Sequence, residues 1–296
     1  MSKVAAVAVL YNCDDSKIKP MYESLARQVD RLYIVDNSDN GQDLTDVFTS
    51  NPKIEYISLG DNLGIAYAQN VGIKKAMDTG CDYVLLSDQD TVFPDDYVVV
   101  MLREWQSSPY TNIAAMGPDF ADRNREGERQ GFVWFNGIRN NRLYPSGGQV
   151  EVSQLIASGK MIDLSKISDI GLMDESLFID WVDIEWCWRA RAKGYKVVGC
   201  ADVVISHCLG DYNVRIGEKQ YIVRGAVRHY YIIRNAVYLK KYSTYINPAM
   251  RINLGYKTIR YLIGFTLLGK PRSKHFKYCI KGLHDGRHKI MGRIKL

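Results

Sequence analysis

The sequence predicts an α/β protein in which a mixed sheet, fed by alternating strands and helices, is followed by a basic helical region. Three observations predict it. Short apolar, β-branched runs alternate with helix-like stretches through residue 90, and each run ends in a polar loop. Carboxylates collect in those loops. The charge balance also reverses near residue 212: residues 212–296 hold 19 Lys and Arg against the two acids Glu218 and Asp285, whereas residues 1–211 hold 20 against 31.

The elements follow in order. Residues 4–10 form a continuous apolar run, as suits a strand buried on both faces of a parallel sheet. A polar helix at 18–28, a strand at 31–35, a further helix and a strand at 54–58 continue the alternation. Residues 65–77 carry apolar and small side chains at helical spacing, and 83–86 make a short strand that stops at Ser87-Asp88-Gln89-Asp90. Residues 121–148, rich in Arg, Asn and Gly, read as an irregular loop or hairpin. Beyond them a strand is expected at 150–158, a short helix at 164–170, a helix at 181–193 stopped by Gly194, and a strand at 197–205 leading to His207. After Tyr212 the pattern predicts helices at 221–241, at 248–268 and from 275 onward.

Composition excludes several classes. With 296 residues, 46% hydrophobic and 24% charged, the chain is neither disordered nor fibrous. Its six cysteines are far apart and form no CxxC pair, so neither a zinc site nor a disulfide framework is indicated. No run of 18 apolar residues occurs, and the nearest candidate, 252–268, is interrupted by Lys257 and Arg260. The apolar start at 4–11 is followed at once by Asn12, Asp14 and Asp15, which favours a strand over a signal sequence and a cytoplasmic protein. The basic C-terminal region suits an anionic surface.

Ligands of open α/β sheets bind beyond the carboxyl ends of the strands, where Asp36, Asp61 and the Asp88 to Asp90 cluster fall. Asp88 and Asp90 offer hard oxygen ligands to a divalent cation and its phosphates. Asp36 and Asp61 either bind a base or ribose or cap their own turns. The small residues after Asn62-Leu63-Gly64 allow a ligand or a strand to approach closely. Asp180, Asp183 and Glu185 stand beside Trp181 and Trp186, where they either serve a helix N-terminus or supply a general base. His207 is a metal ligand or a structural histidine.

Together these stretches resemble family 2 of the inverting glycosyltransferases, and within it the bacterial rhamnosyltransferases, over about residues 4–240. The resemblance lies in Val9-Leu10-Tyr11-Asn12, Val35-Asp36-Asn37-Ser38, Asn62-Leu63-Gly64-Ile65-Ala66 with Asn70 and Gly72, and Ser87-Asp88-Gln89-Asp90. It continues in Ser158-Gly159, the block from Phe178 to Trp186 with Arg189, then His207, Gly210 and Arg234-Asn235.

It implies a GT-A fold, the Rossmann-like mixed sheet of nucleotide-diphospho-sugar transferases, with a basic helical extension at the C-terminus. The catalytic domain would span 1–211, its donor half about 1–115 and its acceptor half about 116–211, with 212–296 on the membrane. The resemblance assigns the nucleotide sugar to Tyr11, Asn12, Asp36, Asn37, Asp61, Asn62, Gly64, Asn70, Asp88 and Gln89. Mg2+ or Mn2+ would be held by Asp88, Asp90 and His207. Asp183 would be the base that deprotonates the acceptor hydroxyl. Many relatives have Glu-Asp where this chain has Val182-Asp183, which keeps Asp180 as an alternative base. Ser158, Gly159, Trp181, Glu185 and Trp186 would meet the acceptor.

The expected donor is dTDP-L-rhamnose, with glucose, galactose or galactofuranose nucleotides as alternatives. The expected acceptor is a lipid-linked or polymeric glycan of O-antigen or other cell-surface polysaccharide synthesis. An anionic membrane at the inner face of the plasma membrane is an expected partner, nucleic acid is not, and an oligomer is compatible with the sequence. Two other classes compete. A nucleotidyltransferase would carry a Gly-rich Lys-Arg loop where Asn12-Cys13-Asp14-Asp15 stands. A non-catalytic polyanion-binding adaptor would have no need of the retained acids.

Overall fold

A computed structural model describes residues 2–39, 43–48, 51–122, 127–137, 139–207, 212–216 and 219–295, with backbone alone at 15–17, 122, 207, 212–216 and 219–222. The first strand, β1 (Val4–Leu10), is buried at all seven positions, as a central strand covered on both faces must be. Helix α1 (Asp15–Ala26) leads to β2 (Arg31–Asp36), and the short α2 (Thr45–Phe48) leads to β3 (Ile54–Ser58). Helix α3 (Ile65–Asp78) then crosses to β4 (Tyr83–Asp88). All of β1 to β4 run parallel. Gly72 explains how closely α3 lies on β1, because a Cβ there would fall 2.4 Å from a methyl of Val7.

After α4 (Tyr97–Gln106) come β5 (Ile113–Asp122), the two-residue β6 (Glu128–Arg129), the hairpin of β7 (Phe132–Phe135) and β8 (Asn140–Leu143), and β9 (Gln149–Glu151). Strand β10 (Met161–Asp163) enters the sheet antiparallel to both β4 and β5 and makes it mixed. The chain continues through α5 (Ile167–Ile170), α6 (Val182–Ala192) and β11 (Lys196–His207). The sheet order is β3-β2-β1-β4-β10-β5-β11-β9, with β6 paired to β5.

The strand expected at 150–158 pairs as β9 only over 149–151, because the following residues turn under the β7–β8 hairpin, where the Ser153 hydroxyl accepts the Phe135 N–H at 2.7 Å. The helix expected from residue 221 is replaced at its start by the hairpin of β12 (Tyr212–Ile216) and β13 (Lys219–Val223). Cross-strand pairing there overrides the apolar spacing that suggested a helix. The helices that follow are α7 (Ala226–Tyr242), α8 (Pro248–Leu268) and α9 (Arg272–Arg287). They are not a detached tail. Ala236, Leu239, Ile246 and Leu254 belong to the same buried cluster as Val7, Leu86 and Trp186.

Candidate functional site

The polar loops after β1, β2 and β3 are laced into one crevice. As the chain leaves β1, the Tyr11 N–H donates to Gln89 Oε1 at 2.8 Å and its hydroxyl to Asp39 at 3.0 Å. Asn12, at φ 45°, donates its N–H to Ser38 Oγ at 2.7 Å. Asn37 donates to Asn62 Oδ1 at 3.0 Å and accepts the Leu63 N–H at 2.8 Å. Asp36 is 4% exposed, and its two oxygens accept the Ser38 N–H at 3.0 Å and the Tyr56 hydroxyl at 2.8 Å. Burial and then the Asp36 carboxylate push the Tyr56 hydroxyl up to about 12. Asp36 thus holds the crevice wall, while Asp39 and Asp61 face outward. One guanidinium spans those two: Arg293 donates to Asp61 at 2.6 Å and to Asp39 at 2.7 Å, and it keeps the Asp61 carboxyl below its usual range.

At the end of β4 the Asp88 carboxylate accepts the fully buried Ser158 hydroxyl at 2.8 Å, and that oxygen lies 2.9 Å from the Thr91 hydroxyl. Gly159, at φ +77°, gives its carbonyl to the Tyr97 hydroxyl at 2.5 Å, and a Cβ there would sit 2.8 Å from both Pro118 and that hydroxyl. Ser158 and Gly159, expected at the acceptor, are therefore internal props that aim Asp88. Asp90 is exposed and has no hydrogen-bonding or ionic partner among the described residues. His207 ends β11 beside Asp122, and its side chain lies outside the described residues.

Two carboxylates at one strand end, one of them solvent-facing, suit a hard cation that also binds phosphate oxygens. Among the described residues, the one group whose donor atoms lie within 4.8 Å of one another is Glu104, Cys200 and Asp202. Its carboxylates already accept Gln149 and the Gly148 N–H at 3.2 and 2.9 Å, and burial pushes the Cys200 thiol up to about 11. That chemistry is a poor one for Mg2+ or Mn2+.

The segment before α6 is forced into its shape. Phe178, Asp180 and Trp181 all have positive φ, at 64°, 63° and 69°, a strain of about 1–3 kcal/mol each for non-glycine residues. Hydrogen bonds hold it there. Asn235 of α7 donates to the carbonyls of Leu177, Ile179 and Asp180 at 3.0, 2.9 and 2.9 Å. The Trp181 indole donates to the Ile232 carbonyl at 3.1 Å, and the Phe178 carbonyl accepts the Ile65 N–H at 2.8 Å. Gly64 is the only residue type that fits opposite, since a Cβ would lie 2.6 Å from the Phe178 ring. Arg234 is fully buried and donates to the Leu177 carbonyl at 2.8 Å.

This loop separates the two candidate bases. Asp180 is held by Arg224 at 2.9 Å and Arg228 at 2.7 Å. Asp183, in the first turn of α6, is half-buried, and its pKa is raised: burial dominates, the nearby anions Asp88 and Asp180 add to it, and Lys160 opposes it. Lys160 is fully buried, its ammonium has no hydrogen-bond partner among the described residues, and it sits 5.4 Å from the centre of the Trp186 ring. Nothing in the sequence distinguished it from any other lysine.

Three other expectations are corrected. Trp186 is fully buried and donates its indole N–H to the Gly171 carbonyl at 2.9 Å, so it is core. Glu185, 2% exposed, pairs with Arg189 at 2.8 Å and accepts the Tyr245 hydroxyl at 2.6 Å, which turns it away from any acceptor. Asn70, 1% exposed, exchanges hydrogen bonds with Met173 at 3.0 and 2.9 Å and fastens α3 to the loop after α5.

The family model described as Glycosyl transferase family 2 matches residues 6–170. The chain is 33% identical over 241 residues to a dTDP-rhamnosyl transferase RfbF of Shigella flexneri, covering 80% of each chain. Among solved structures, S. aureus TarS 1-349 superposes with a TM-score of 0.61 at 14% identity, over 96% of this chain and 80% of that one. GalNAc-T7 with UDP, GalNAc and Mn2+ superposes with a TM-score of 0.62 at 12% identity, over 98% of this chain and 56% of that one.

Proposed function

This chain belongs to glycosyl transferase family 2 and is a GT-A glycosyltransferase, and from that premise we propose that it transfers L-rhamnose from dTDP-L-rhamnose, with inversion, to a lipid-linked or polymeric glycan of O-antigen or other cell-surface polysaccharide synthesis. The 33% identity to a dTDP-rhamnosyl transferase supports that donor. The single observation that carries the chemistry is Asp183: a half-buried carboxylate with a raised pKa, electrostatically linked to Asp88 at the end of β4.

In this reading the nucleotide lies in the crevice between Tyr11, Asn37 and Asp61, whose walls Asp36 and Asn62 fix. Asp88 and Asp90 would hold Mg2+ or Mn2+, with His207 as a further ligand. That cation supplies charge neutralisation for the departing diphosphate. Ser158 keeps the Asp88 carboxylate in one orientation. Asp183 accepts the proton of the acceptor hydroxyl as that oxygen attacks the anomeric carbon from the face opposite the diphosphate. A raised pKa makes it a better proton acceptor than an ordinary surface carboxylate. Asp180 is neutralised by two arginines and instead orients Trp181 and the start of α6.

The membrane part of the proposal rests on α8. Ile252, Tyr256, Ile259, Ile263 and Leu267 recur at helical spacing, are 54–75% exposed, and stand beside the cations of α8 and α9. Among the described residues no helix is long and apolar enough to cross a membrane, so the stripe suits contact with an anionic surface.

A panel of nucleotide sugars with Mg2+ or Mn2+, read out as nucleoside diphosphate release, tests the whole. Release from dTDP-L-rhamnose that needs metal is expected. Full turnover by both Asp183→Asn and Asp90→Ala would refute the site.

A further inference from the structure

A groove of about 1220 Å3 opens beside Trp181, between the β7–β8 hairpin, the start of α6, and helices α7 and α8. Five cations line it, Arg139, Arg142, Arg224, Lys257 and Arg260, against the single acid Asp180. That acid is already shared by Arg224 at 2.9 Å and by Arg228 at 2.7 Å. Lys257 and Arg260 pair with no carboxylate among the described residues. Their contacts are aromatic faces: the Lys257 ammonium is 5.8 Å from the centre of the Trp181 ring, and the Arg260 guanidinium is 6.0 Å from that of Tyr256. Arg142 spends one nitrogen on the carbonyls of Gln130 and Gly131, at 3.0 and 2.9 Å, and pairs with no carboxylate among the described residues.

Like charges gathered without a counter-ion in a partly desolvated wall repel one another. Lys257 registers this: burial first, then Arg260 and Arg142, pull its pKa down to about 8. An incoming anion would relieve both the repulsion and the desolvation.

We propose that this groove is an acceptor subsite for a phosphate-class anion, bound by Lys257, Arg260 and Arg142 while the sugar end of the same molecule lies against Trp181. Calling the ligand an acceptor rests on the glycosyltransferase reading above; the anion site itself does not. Ile252 and Tyr256 line the groove and also begin the exposed apolar stripe of α8, so a hydrocarbon chain attached to the anion has a path out along that helix. Phosphate could equally come from a soluble sugar phosphate, and the two sources are separable.

The full chain is titrated calorimetrically in EDTA, which removes the cation needed at Asp88 and Asp90, with geranyl diphosphate, inorganic pyrophosphate and geraniol as probes. Geranyl diphosphate is expected to bind most tightly and geraniol not at all. Lys257→Met and Arg260→Gln should each weaken the diphosphate by about tenfold, and Lys257→Arg should restore it. Raising the pH from 7 to 9, through the Lys257 pKa near 8, should weaken it too, because Lys257 loses its charge among the groups that line the groove with it, Arg139, Arg142, Asp180, Arg224, Arg260, Tyr256 and Tyr261.

Arg260 is exposed, so its replacement leaves the fold intact, and Mg2+-dependent binding of dTDP serves as the control. Equal affinity for the two diphosphates would keep the anion site and assign it to a soluble phosphorylated acceptor. Unchanged binding in both neutralised variants, or geraniol binding as tightly as its diphosphate, would overturn the proposal. Loss of metal-dependent dTDP binding with diphosphate binding intact would instead strike the transferase reading and leave this site standing.

Discussion

The crevice proposed for the donor and the groove proposed for the acceptor are built by different means. On the donor side, four parallel strands end in loops whose polar groups satisfy one another over short spatial steps: Asn37 with Asn62, Asp36 with Tyr56, Asn12 with Ser38. On the acceptor side, a loop in unfavourable backbone conformations is held by α7, and the groove beside it gathers cations of which Lys257, Arg260 and Arg142 pair with no carboxylate among the described residues. A self-satisfied crevice is pre-formed, whereas strain and unpaired charge store free energy that a ligand or a neighbouring helix must offset. In the proposed mechanism that difference corresponds to rigid donor capture and acceptor-dependent completion of the site.

The comparison can be broken most sharply at Asp183. Removing a general base lowers rates by about 10²–10⁴-fold, so Asp183→Asn should lose most of its turnover in steady-state assays while binding dTDP as before. Equal losses in both would mean the two sides are not separable.

The next effect is structural. Asn235→Leu takes the amide donor from the Ile179 and Asp180 carbonyls of the strained loop, each worth about 1–3 kcal/mol, while Leu177 keeps its bond from Arg234, and the total should appear in denaturant unfolding as a loss of a few kcal/mol. A loss under about 1 kcal/mol would show that the loop needs no such clamp.

The pH profile gives a third, smaller reading. In the proposed mechanism Asp183 acts in its ionised form, and its pKa is raised, so kcat/KM should fall on acidification with a midpoint above the ordinary carboxylate range of about 4. Replacing Lys160, whose charge opposes that shift, by Met should move the midpoint higher still. A midpoint that ignored Lys160 would remove it from the site.

Least of all should change at the exposed Arg293. Its ion pairs with Asp39 and Asp61 are solvent-screened, so Arg293→Ala should leave the melting temperature nearly unaltered and change dTDP affinity by no more than about fivefold. A larger change in either direction would make the C-terminal segment part of the donor site.

What was legible in the chain follows the same division. The runs at β1 to β4, and the acids that end β2 and β4 and follow β3, announce themselves because the information is local: short apolar runs, then turn-forming residues. Arg293 could not be seen, because its partner Asp61 is 232 residues away and no spacing rule spans that distance. Lys160 was invisible for a related reason, since burial of an ammonium is a property of what packs around it. The two tryptophans teach the finest lesson. Both flank the acidic block, yet Trp181 lines the groove from a left-handed position before the helix, while Trp186, one turn into it, points to the core. Helical phase was predictable here; the three positive φ angles that set its starting point were not.

The clamp from Asn235 also limits how the protein can be shortened. A chain cut before Arg224 would keep every strand of the main sheet, and with them the loops that form the crevice, but would strip Asp180 of both its arginines and leave the carbonyls of Leu177, Ile179 and Asp180 without their shared amide. On the proposed mechanism such a fragment would turn over nothing, because what it has lost is the scaffold of its own base.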